Sequence, residues 1–366
     1  MRKPVRGLAL LSASALALSM GAAGGSAVAA PAQQARIQVL ARHLAGPLSL
    51  AVGDDGSAWV TEDFGSRLLH VVPGQQPVSV FKATEKGAEV AAASVSGPRV
   101  VFAVSGTTKK VYEMIGGSAA RVLANVGLYE RRHNPDASNL YGFKGISKSC
   151  AAKLPKEVGP AKYHGVVDSH PYSSAISGST VYIGEAAGND ILSITPGGAI
   201  STVAVLPPTR VQVTKARAAA LHLPGCTIGL KYGFEPVPTD VEVGPDGWLY
   251  VSSLPGGPED PSLGARGRVY KVNPATGRVV LLARGFVSTV DLAVADNGDV
   301  YVAELFTGRI KLIKGGSHTA TTFLKMNQPS AIEWTPDFLY ATRDALVGAP
   351  LERAAGFGGE VVRIHW

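Results

Sequence analysis

The sequence predicts an all-β fold, a six-bladed β-propeller of four-stranded antiparallel blades whose last blade is closed by the N-terminal strand. Three observations predict it. A strand–turn–strand pattern recurs six times, each copy marked by an aromatic in its second strand: Trp59, Phe102, Tyr182, Tyr250, Tyr301 and Tyr340. Three of the five intervals between markers match the roughly 40–50 residues of one blade, and the other two hold a blade plus extra chain. A spare strand precedes the first copy, and the last copy stops one strand short.

The first stretch reads as an export signal. Arg2, Lys3 and Arg6 precede an apolar run from Gly7 to Met20, and Ala27-Val28-Ala29 supplies a small-residue cleavage pattern. Residues 1–29 are therefore expected to be a signal peptide and 30–366 a single secreted, extracellular propeller domain. The apolar run is too short for a stable bilayer anchor, and no later segment is apolar enough to cross a membrane. A retained anchor is the alternative reading.

Ile37-Gln-Val-Leu-Ala41 is the spare strand, expected to complete the last blade and close the ring. The copies themselves read Val52-Gly-Asp-Asp-Gly-Ser-Ala-Trp-Val60, Val243-Gly-Pro-Asp-Gly-Trp-Leu-Tyr-Val251 and Val294-Ala-Asp-Asn-Gly-Asp-Val-Tyr-Val302. Asp/Gly turns between alternating apolar runs are hairpin signals. Later strands in the blades appear as Arg67–Val72 with Val78–Phe81, Ile191–Ile194 with Ser201–Val205, Val269–Val272 with Val279–Leu282, and Ile310–Ile313 with Thr321–Leu324. The extra chain lies at about 128–169 and 209–235, both between blades. Connections between blades and connections between second and third strands share one face of a propeller, so both insertions are expected to cap one face. Ala216–Leu223 reads as a short helix in the second insertion.

The net charge of +7 falls to +4 once the three signal-peptide cations are gone. That excess, without a dense basic stripe, does not argue for nucleic acid. The insertions are each locally basic by three charges, which suits a small anionic ligand, a cell-surface or protein partner, or simply a solvated loop. A monomer is expected. Cys150 and Cys226 are the only cysteines; an exported chain with two is expected to pair them, the alternative being two free thiols.

His170-Pro-Tyr172, Asn189-Asp-Ile-Leu192, Gly198–Val205, Pro236-Val-Pro-Thr-Asp-Val-Glu-Val-Gly-Pro-Asp-Gly247 and Ala265-Arg-Gly-Arg-Val-Tyr270 resemble the ScyD/ScyE family of exported propeller proteins. The resemblance runs through most of the mature chain and is best from His170 to Phe306. It implies an exported, NHL-like six-bladed propeller and carries no catalytic residues onto this chain. The link before His170 departs from the family pattern, being long, basic and cysteine-containing.

Candidate site residues follow from topology. Glu62, Glu185 and Glu304 end second strands, as does Arg343, while Asp240 and Asp291 begin first strands. Five carboxylates near one channel mouth suit a divalent cation such as Ca²⁺, which takes six to eight oxygens and can polarise a carbonyl or activate water. The competing reading is that these acids accept backbone amides and lock blades together. His170 and Tyr172, at the return into blade three, are candidate ligand-binding residues together with Arg343. No nucleophile elbow, phosphate loop, dinucleotide fingerprint or EF-hand loop is present. Two functions follow: a binding or scaffold propeller acting through its capped face, or a metal-dependent lactonase or hydrolase.

Overall fold

The computed structural model describes residues 35–258, 263–349 and 356–365. The expected signal peptide lies outside the described residues. No helix among them is long and apolar enough to cross a membrane.

Six four-stranded antiparallel sheets follow one another along the chain. Their second strands are Ala58–Glu62, Arg99–Ser105, Thr180–Glu185, Leu249–Ser253, Val300–Glu304 and Leu339–Arg343, each holding one aromatic marker. The last sheet is completed by Arg36–Leu44, which pairs with Gly359–His365 and so joins the two ends of the fold. The first strands of the blades pack in turn on one another, with that of blade six on that of blade one, so the blades form a ring.

The core is correspondingly divided. Six apolar clusters fill the six spaces between neighbouring blades, and the one between blades six and one includes Leu40, Leu50, Val60, Tyr340 and Val361. Alternating strand residues face opposite neighbours, so each blade contributes to two clusters. Five of the aromatic markers turn toward the following blade. Phe102 turns the other way and packs on Phe81 of blade one at a centroid distance of 4.6 Å. In blade two a tight hairpin pairs Ser96 with Arg99, and Val101 takes the forward-facing position. Its marker is therefore one residue out of phase with the rest.

A seventh sheet is built from the two insertions. Its order is Lys162–His164, Leu140–Lys144, Lys231–Phe234 and Thr209–Gln212, so the strands of the first insertion pair directly with those of the second. The Cys150–Cys226 disulfide joins the same two segments. Phe143, Val213 and Ala218 form a small separate core beneath it. The short helix is present as Lys215–Ala220, with Thr214 as its N-cap. Asn139 donates to the Leu206 carbonyl at 3.1 Å, and Asn189 donates to the Asp136 carboxylate at 2.9 Å, tying this cap to blade three.

Candidate functional site: the capped face

The structure places the three predicted glutamates in one repeated local role. Glu62 accepts from Ala45 N at 2.9 Å and pairs with Arg67. Glu185 accepts from His170 N at 2.8 Å, from Gly188 N at 3.0 Å and from the Ser169 hydroxyl. Glu304 accepts from Val287 N at 2.5 Å and the Thr307 hydroxyl at 3.1 Å. In each case a buried carboxylate at the end of a second strand holds the segment that leads into its own blade. These backbone donors would otherwise be buried unpaired, at a cost of about 1–3 kcal/mol each.

The two aspartates act between blades. Asp240 accepts from Leu292 N at 3.1 Å in the first strand of blade five, and Asp291 accepts from Ile332 N at 3.0 Å in that of blade six. Ser49 does the same for Ala93 N at 2.8 Å. Thus the five carboxylates are spread over four blades, each engaged with backbone, and are not brought to one point. Among the described residues no group of three or more His, Cys, Asp or Glu side chains stands in position to hold a metal ion. Arg343 is also engaged within its blade, donating to Glu360 at 2.8 Å and 2.6 Å.

His170 sits where the sequence placed it, at the return into blade three, and its chemistry comes from neighbours that sequence reasoning missed. Its Nε2 lies 2.8 Å from Glu89, which opens the first strand of blade two, and its ring meets Tyr172 edge-on at 5.8 Å. Burial pulls the imidazole pKa down, but the Glu89 hydrogen bond and charge, with Glu185 behind, leave it above its ordinary value. Glu89 is held low in return by His170. Asp63, buried beside them and hydrogen-bonded by Thr61 at 2.7 Å, is pushed up to about 8 by desolvation and by Glu89. An ion pair beside a protonated acid is an arrangement able to exchange protons near neutral pH.

Two members of a second acidic group, Glu242 and Glu333, also escaped the sequence reading. Asp240 and Asp291 are joined by Glu242 and Glu333, from the first strands of blades four and six. Burial raises all four, Asp240 to about 7, and mutual repulsion adds to the rise in the other three. The signal was the alternation Asp240-Val-Glu242 on a first strand, which puts two acids on one face.

Between the cap and blade four lies a cavity of about 280 Å³. Phe143, Val213, Leu221, Leu223, Tyr232 and Phe234 supply most of its apolar wall. Arg217 lines it too, its guanidinium fixed by the Gln212 carbonyl at 2.9 Å and the Leu263 carbonyl at 3.1 Å. No carboxylate pairs with Arg217 among the described residues. Glu157, the acid in the lining, is exposed. Nothing in the sequence marked this cavity, because its wall joins residues from two insertions far apart in the chain.

The fold and cap together define a closed six-bladed β-propeller with a disulfide-tied cap on its inter-blade segments. No protein-family model and no curated protein matches the chain. Several solved structures share the architecture. Virginiamycin B lyase from Staphylococcus aureus aligns at 12% identity and a TM-score of 0.51, over 91% of this chain and 100% of that one. The PQQ-bound aldose sugar dehydrogenase from Streptomyces coelicolor aligns at 13% and 0.54, over 92% and 99%. A gluconolactonase from Xanthomonas campestris aligns at 11% and 0.53, over 91% and 90%. At these identities the likeness establishes the propeller fold and leaves the chemistry to the residues of the site.

Proposed function

We propose that this chain is an exported, ScyD/ScyE-like propeller that binds a small amphipathic anion between its cap and blade four. The observation that carries this reading is the apolar cavity with Arg217 in its wall, its guanidinium fixed by two carbonyls and unpaired with any carboxylate among the described residues. Ligand sites are commonly concave and mostly apolar, with a few placed polar groups that set orientation. A guanidinium held by two carbonyls keeps donors in place for a carboxylate or sulfonate. The locally basic insertions favour the same sign of charge. Export is supported by the disulfide and by the leader-like first residues.

The test is a melting assay of the mature protein with aryl and alkyl carboxylates, each paired with its neutral amide. The carboxylates should raise the melting temperature more than the amides. Arg217→Gln should abolish that difference, and a cavity-filling Val213→Trp should abolish both responses. Equal responses to acid and amide in the unmodified protein would sink the proposal.

A second reading, a hydrolase of the lactonase kind, is favoured by His170, Glu89 and Asp63. It is supported by the enzymatic character of the structural neighbours. A divalent ion at Glu62, Asp240, Asp291 and Glu304 would have to displace the amide partners those residues now hold. Hydrolysis of a lactone panel that is lost in both His170→Ala and Glu89→Gln would favour this reading over binding alone.

A further inference from the structure

Four buried carboxylates meet where the first insertion touches blade three. Glu130 projects from the helix Val126–His133, Asp136 follows it, Glu185 ends the second strand of the blade, and Asp190 begins the third. All are at most 2% exposed. None takes part in any ion pair among the described residues.

Their arrangement is costly as it stands. Glu185 and Asp190 are direct partners across an antiparallel strand pair, a position where like charges repel. Both Asp190 carboxylate oxygens lack a hydrogen-bond partner at 0% exposure, as do one oxygen of Glu130 and one of Asp136. Three carboxylate oxygens border one spot, Asp190 Oδ2 being the unpaired one among them. Glu130 Oε2 and Glu185 Oε2 lie 3.4 Å, and Asp190 Oδ2 3.6 Å, from the point that a Cβ on Gly188 would occupy. Asp136 stands behind them, oriented by Tyr141 at 2.8 Å and Asn189 at 2.9 Å.

We propose that Glu130, Glu185 and Asp190 bind one hard divalent cation of the Ca²⁺ type beside Gly188, with Asp136 adding negative charge. The ion is a clamp holding the insertion helix to blade three, and it is independent of ligand binding at Arg217. Calcium–oxygen distances are about 2.3–2.6 Å and the ion must stand clear of the Gly188 carbon, so the carboxylates must turn toward it from their present places, water filling the remaining positions. This is why they do not already form a coordination shell. Buried, uncompensated carboxylates are otherwise neutralised by protons. Burial and repulsion indeed raise Glu130 to about 7 and Asp190 well above its ordinary value. Of the five acids singled out in the sequence, Glu185 alone belongs to this site.

The experiment strips the mature protein with a chelator near neutral pH. It then measures melting with and without Ca²⁺ and the calcium retained after gel filtration. One ion per chain and a saturable rise in melting temperature are expected. Both should be lost in Glu130→Gln with Asp190→Asn, whose ion-free melting should match or exceed that of the unmodified protein, since repulsion is gone. Gly188→Ala is a second variant should that pair not fold. Its methyl meets the three oxygens at ordinary contact distances, so it should fold, yet it intrudes on the space an ion between them needs. Absence of retained calcium and of any melting shift in the unmodified protein would overturn the proposal. So would binding that persists in Gly188→Ala, or that disappears instead in Glu242→Gln with Glu333→Gln.

Discussion

Glu185 and Asp291 are both buried acids bonded to backbone amides, yet they should respond oppositely to substitution. Glu185 accepts from two amides and a hydroxyl, so Glu185→Ala strands three donors and should cost about 2–4 kcal/mol in urea unfolding. Asp291 accepts from a single amide and stands among Asp240, Glu242 and Glu333. Asp291→Asn keeps an oxygen for Ile332 N and removes the repulsion. It should therefore be neutral or stabilising near pH 8, and unfolding curves at that pH check the sign. The sequence located Glu185 through its register after an aromatic and Asp291 at the start of a first strand, because strand ends recur with the repeat. It could not show which way each carboxylate points. Glu130, Asp136 and Asp190 gave no repeated signal, since their meeting depends on an insertion unique to one blade junction.

The cap was legible in part at the level of elements. Spacing indicated its two insertions, the count of two cysteines with the expectation of export suggested their pairing, and composition indicated the helix at Lys215–Ala220. Its four strands were not legible, because short segments such as Leu140–Lys144 find partners only across a long stretch of chain. Phe102 shows the same limit within a blade: an aromatic in the right strand still faces the wrong neighbour when the hairpin loop changes length. The disulfide spans 76 residues, a loop whose closure is worth roughly 4 kcal/mol in the unfolded chain. The cap has its own small core, apart from the inter-blade clusters. Cys150→Ser with Cys226→Ser should thus lose amide-exchange protection in Leu140–Lys144 and Lys231–Phe234 while the blades keep theirs. Uniform loss across the blades would mean that cap and ring unfold as one unit.

The whole ring is closed by Arg36–Leu44, and this was readable because a spare strand at one end of the chain and a missing strand at the other can both be counted from the repeat. The molecule also carries an excess of raised carboxylates: Asp63 near 8, Glu130 and Asp240 near 7, and Asp190, Glu242, Asp291 and Glu333 well above their ordinary values. Folded, these groups keep protons that the unfolded chain releases above about pH 4, so stability should fall as pH rises from about 4 to about 8. Acids with lowered values, such as Glu89 and Asp299, withdraw stability only on acidification below about pH 4–4.5, the range in which the unfolded chain takes up protons. In chelator, melting should therefore be higher near pH 5 than near pH 8, and calcium should narrow the difference by removing the share due to Glu130 and Asp190. The central claim, that the cap and blade four enclose an anion-binding cavity, is tested most directly by calorimetric titration of an aryl carboxylate into the protein from residue 30 onward and its Arg217→Gln and Val213→Trp variants. The account predicts one site per chain, weakened at least tenfold by Arg217→Gln, the loss of one charge-assisted bidentate contact, and abolished by Val213→Trp. Binding left intact in Val213→Trp would contradict it.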